Sequence, residues 1–181
     1  MKKHFYFFLI LGLILCFGCG KGEPEPGVSM TDSSAHRLPA QYQSIIGLEF
    51  GPDNFPTGFQ EHTGYVMGFI EGDEYIIDHV SQESTELVWF CKLTHRDEEG
   101  RPFLRILDAL ILPQLNPNEQ LYLGTCSYKD MEDPEIVAII KQIQNELETK
   151  VIQAWRANRQ TKIFEEISNE YVRCVDESIY L

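Results

Sequence analysis

Asp133–Glu148, DPEIVAIIKQIQNELE, is the stretch on which the fold assignment turns. Ile136, Ile139, Ile140, Ile143 and Leu147 recur at i, i+3, i+4, i+7 and i+11, which places all five on one face of a helix. Asp133 suits an N-cap, and Pro134 then falls at the first helical position, where its missing N–H costs nothing. Glu132 and Glu135 sit at the positive end of the helix dipole, and Lys141, Gln142, Gln144 and Asn145 fill the wet side. The periodicity predicts one long amphipathic helix over about 133–148. So much isoleucine requires a cover, and the strand-like segments on both sides provide one.

Those segments are short, rich in β-branched and aromatic residues, and separated by turn-forming polar residues. Upstream they are 44–50, 64–70, 75–79, 86–94, 103–111 and 121–126; downstream they are 151–157, 163–167 and 171–175. The turns EGDE at 71–74 and HRDEEGRP at 95–102 each join two of them as a hairpin. The loop GPDNFPTG at 51–58, with two prolines and two glycines, excludes regular structure. The expected class is α+β, an antiparallel sheet packed against the helix. A parallel crossover through 121–157 is the alternative.

The chain of 181 residues is long enough for one domain with a real core, and three parts are expected. Residues 1–18 read as an export signal. Lys2 and Lys3 precede an apolar run from Phe5 to Phe17, which is shorter than the roughly 20 residues a permanent span needs. Residues 19–41, rich in Gly, Pro, Glu, Ser and Thr and without periodicity, read as a flexible tether. Residues 42–181 form the folded domain.

Gly18-Cys19-Gly20 resembles the lipobox of bacterial lipoprotein precursors, departing from it at Cys16, where that family usually carries leucine. The resemblance spans nineteen residues. It implies that the signal is cut before Cys19 and that the Cys19 thiol carries the lipid. The expected location is then the cell envelope, membrane-anchored and facing the periplasm or the cell surface; ordinary cleavage near Gly18 or Gly20 would instead release a soluble protein. Two or three acyl chains make a stable anchor. Near the other terminus, Trp155-Arg156, Thr161, Phe164, Ile167, Val172, Cys174 and Glu177 resemble the ends of some small uncharacterised cyanobacterial proteins, from which no activity carries over.

The formal net charge is −13, and removing residues 1–18 takes away Lys2 and Lys3 and no acid, leaving −15. No basic stripe is available to neutralise phosphates, so nucleic acid is not an expected partner. The expected partners are the membrane, through the lipid, and a protein, with a basic one favoured electrostatically. Beyond Cys19 the domain contains Cys91, Cys126 and Cys174. An oxidising compartment permits one bridge. Cys91 lies in the apolar run LVWFCKL and reads as a buried small hydrophobe. Cys126–Cys174 is the expected disulfide, with Cys91–Cys126 as the rival pairing.

The chemistry-bearing candidates are few. Asp78-His79 is the most catalytic-looking pair, but neighbours on a strand point to opposite faces. Asp108 is a third candidate. Cys91 as a nucleophile, with His79 or His95 as base, would need a lowered thiol pKa, which apolar neighbours oppose. His62 and His95 fall in turn-like stretches. No CxxC, Cys/His cluster, HExxH, GxSxG or phosphate loop occurs, and no metal or cofactor is expected. The function expected is a non-catalytic acidic binding or assembly module of the envelope, with inhibition of a basic hydrolase as one form of it. The alternative is an envelope hydrolase with a non-standard site using Asp78, His79 or Asp108.

Overall fold

A computed structural model describes residues 38–142 and 149–174. The signal segment, Cys19 and most of the tether lie outside the described residues, as do Ile143, Leu147 and Glu177. Among the described residues the elements are a helical turn α1 (Ala40–Gln43) and twelve strands. These are β1 (Glu49–Phe50), β2 (Gln60–Ile70), β3 (Asp73–Gln82), β4 (Thr85–Arg96), β5 (Pro102–Ile111) and β6 (Glu119–Leu123). After them come β7 (Cys126–Tyr128), β8 (Met131–Asp133), β9 (Ile136–Gln142), β10 (Thr149–Asn158), β11 (Ile163–Ile167) and β12 (Val172–Cys174), with a 3-10 turn at Asn169–Tyr171.

Over 133–142, the described part of the expected 133–148 helix, no helix is formed, and the α+β assignment falls with it. Residues 136–142 are instead strand β9, paired antiparallel to β6 on one side and β10 on the other. The domain is built from three antiparallel sheets: sheet A in the order β1-β5-β4-β3-β2, sheet B in the order β11-β10-β9-β6, and sheet C in the order β12-β7-β8. The physical reason lies in residues outside the isoleucine stripe. Val137 and Ala138 fill the gaps between Ile136 and Ile139, giving five consecutive apolar residues, four of them β-branched, and all five are buried. Such a run satisfies a helical stripe and a strand buried on both faces equally well. The strand wins because both of its faces are covered. Val137 and Ile139 enter the core between sheets A and B, while Ile136, Ala138 and Ile140 enter the core beneath sheet C.

Asp133-Pro134, expected as a helix start, is instead the end of β8 and the first residue of the Pro134-Glu135 turn into β9. Asp133 still caps locally: its Oδ1 accepts the Glu135 N–H at 3.1 Å, and its Oδ2 accepts from Arg156 Nη2 at 2.6 Å. The same residue type that starts helices also closes turns, because its carboxylate can bond the backbone two residues on.

The expected hairpins are present. β2–β3 turns through Glu71 and Gly72, both at positive φ (52° and 89°), and β4–β5 through Asp97–Arg101 with Gly100 at φ 82°; a further hairpin, β3–β4, turns through Glu83 (φ 54°). Sheet A packs its inner face (Tyr75, Ile77, Val88, Phe90, Leu110) on Val137, Ile139, Trp155, Ala157 and Phe164 of sheet B. Its outer face (Ile76, Val80, Leu87, Trp89, Cys91, Ile106) is covered by Leu38, Tyr42, Ile45, Phe50, Phe55 and Phe59. Trp89 is ringed there by Phe50, Phe55 and Phe59, with centroids 4.9–5.6 Å away. Sheet C closes the far side of sheet B. Residues 44–47, expected as strand, form turns, and Leu38 already belongs to this cover, so the packed part begins before Tyr42.

Two contacts lock sheet A to sheet B. Asp108 Oδ2 on β5 accepts the Phe164 N–H of β11 at 2.7 Å, while its Oδ1 accepts the Ala109 N–H. Gly124, at the corner between β6 and β7, lets the Tyr65 ring of β2 come so close that a Cβ there would lie 2.0 Å from Cε1.

Candidate functional site

The polar groups that converge do so on the inner face of sheet A, near the β3–β4 turn. Ser81 is register partner to Glu86, and His79 is partner to Val88, so His79, Ser81, Glu86 and Val88 share one face. His79 and Glu86 are diagonal neighbours, within reach of each other's side chains. His79 Nε2 and Glu86 Oε2 are 2.8 Å apart.

The third member comes from β2. Pairing of β2 with β3 is regular up to Glu61–Val80 and resumes at Thr63–His79, leaving His62 as the extra residue of a β-bulge. A bulge re-aims a side chain, and this one sends His62 onto the face that carries His79. The two imidazole rings lie 4.8 Å apart. His62 Nε2 is 2.8 Å from Ser81 Oγ and 3.7 Å from the same Glu86 Oε2 that meets His79. Each of His62, His79 and Glu86 offers one ligand atom, and the three atoms lie within 4.8 Å of one another. The side chains are 34%, 20% and 43% exposed, so the cluster faces solvent on one side. Burial pulls the His79 pKa down, against the opposing pull of Glu86. The lowered value favours the neutral ring.

Asp78 behaves as its alternation predicts and sits on the outer face, away from His79. It is buried, and its carboxyl lies over Gly64 of β2, where a Cβ would approach Oδ1 to 2.4 Å. Its pKa is pushed up to about 7, by burial first and by Glu61 second, while a hydrogen bond with Cys91 opposes the rise. Cys91 is a free cysteine, wholly buried, with its thiol pushed well up by burial and by Asp78. That is the environment of an inert thiol. His79 lies on the opposite face of sheet A from Cys91, and His95 lies against Phe103 (centroids 4.4 Å apart) near Glu49. Asp108 is committed to the two backbone N–H groups that join sheets A and B. Asp78, His79 and Asp108 therefore serve three different surroundings.

His62 and His95 are strand residues, in β2 and β4, not turn residues. Nothing in linear spacing singles out His62, His79 and Glu86, which come from three strands and meet only through register plus one bulge.

Cys126 and Cys174 are register partners of β7 and β12 and are joined by a disulfide across 48 residues of sequence. It pins sheet C over Ile136, Ala138 and Ile140. Among the described residues no helix is long and apolar enough to cross a membrane. No family model matches the chain, and neither a curated protein nor a solved structure does.

Proposed function

We propose that this chain is an exported, lipid-anchored envelope protein whose domain serves binding or assembly and not catalysis. The observation that carries the reading is the buried Cys126–Cys174 disulfide. Such bridges form and persist in oxidising compartments and are rare where thiols are kept reduced. The lipobox-like Gly18-Cys19 after an apolar segment points the same way, with Cys19 as the lipid-bearing residue. The formal charge of −13 favours a basic protein partner by electrostatic steering, and a basic hydrolase is one such partner. The separation of Asp78, His79 and Asp108 weighs against the hydrolase alternative, which needs at least two of them in one place.

The test is fatty-acid labelling with membrane fractionation of the full-length chain. The wild type and Cys16→Ala should carry label and sediment with membranes; Cys19→Ala should lose both properties. A wild-type protein that is unlabelled and soluble ends the lipid-anchor reading.

A further inference from the structure

We propose that His62, His79 and Glu86 bind one divalent metal ion of the zinc class through two imidazole Nε2 atoms and one carboxylate oxygen. The inference goes beyond the binding role above and does not depend on export.

The geometry is close to what such an ion requires. Bonds of about 2.0–2.2 Å in a tetrahedron place ligand atoms roughly 3.3–3.6 Å from one another. The atoms here are separated by 2.8 Å (His79–Glu86), 3.7 Å (His62–Glu86) and no more than 4.8 Å overall. Gathering all three onto one ion requires the closest pair to open and the wider pairs to draw in, by roughly an ångström each. Both histidines aim the same atom, Nε2, at the same carboxylate oxygen. The bound form needs the neutral tautomer with its proton on Nδ1, leaving both Nε2 lone pairs for the ion.

The scaffold suits the task. The ligands come one each from β2, β3 and β4, three adjacent strands whose pairing around the site is interrupted by the bulge that aims His62. Ser81, itself buried, stands 2.8 Å from His62 Nε2 and holds that atom beside Glu86 in the metal-free arrangement, a bond that the ion replaces. The donor set decides the class of ion. Two imidazoles and one carboxylate suit zinc and its first-row neighbours, whereas magnesium and calcium require mainly oxygen ligands. The exposure of His62 and Glu86 leaves a solvent-facing fourth position for water.

The full-length chain, treated with chelator and dialysed against Zn2+, should take up an ion that His62→Gln and Glu86→Gln each weaken at least about 100-fold, since even outer-shell changes cost 10–100-fold. Both residues are partly exposed, so these variants should keep the wild-type fold, checked by circular dichroism. His95→Gln, which alters the other exposed histidine–glutamate pair, should leave uptake unchanged. Replacing Zn2+ by Co2+ should give visible absorption that disappears in His62→Gln. No uptake by the folded wild type, or uptake that persists in both His62→Gln and Glu86→Gln, would overturn the proposal.

Discussion

Strand β3 of sheet A and strand β9 of sheet B each run through the interior of a sheet with a hydrophobic core on either side. β3 carries Glu74, Asp78, His79 and Ser81 along its length, while the buried part of β9 carries only Ile, Val and Ala. Burying a polar group costs free energy unless it is hydrogen-bonded. Each of the four on β3 has its partner: Arg96 for Glu74, Cys91 for Asp78, Glu86 for His79 and His62 for Ser81. β9 has no such obligations and contributes apolar burial on both sides. β9 is a stabilising strand, whereas β3 contributes to the cluster of His62, His79 and Glu86.

The largest expected effect is in β9. Ile140→Ala should cost roughly 2–5 kcal/mol in urea denaturation, from lost transfer energy and a cavity beneath sheet C. A cost below about 1 kcal/mol would mean that this face is uncovered. Replacing both Cys126 and Cys174 by alanine should cost about 2–4 kcal/mol, because the bridge holds the cover of that same face. If the double variant melts like the wild type, sheet C does not depend on the bridge.

On the β3 side the expected effect appears across pH. The Asp78 carboxyl titrates near 7 in the folded protein, above the roughly 3.9 of an unfolded chain. Its contribution is therefore fully present below the unfolded value and is lost as pH rises through 7. Between pH 5 and pH 7 the wild type should lose on the order of 2 kcal/mol relative to Asp78→Asn. Parallel profiles for the two proteins would contradict the assignment. Smallest of all, Lys141→Ala, at the exposed end of β9, should change stability by less than about 0.5 kcal/mol.

The contrast between these strands also explains what was legible in the sequence. β3 and β4 were readable because Glu71-Gly72 and the charged loop 95–102 punctuate them and polar residues break their apolar runs. The opposition of Asp78 to His79, the burial of Cys91 and the Cys126–Cys174 pairing followed from alternation and position. β9 was not readable, because IVAII fits both periods and Ile143 and Leu147, set among polar residues from Lys141 to Glu148, completed a helical pattern that the fold does not use at 136–142. Asp133-Pro134 reinforced the error, since a turn and a helix N-terminus share those residues. The cluster of His62, His79 and Glu86 was hidden for another reason. It depends on strand register and on a one-residue bulge, and no local preference encodes either.

The central claim, that 136–142 is a strand covered on both faces over 136–140, is tested most directly by backbone nuclear Overhauser effects in the isotope-labelled protein. Ala138 should show cross-strand contacts to Tyr122 on one side and Ala154 on the other, its register partners in β6 and β10. An unbroken ladder of sequential amide–amide contacts through 135–142, with none to Tyr122 or Ala154, would contradict the three-sheet architecture and restore the helix.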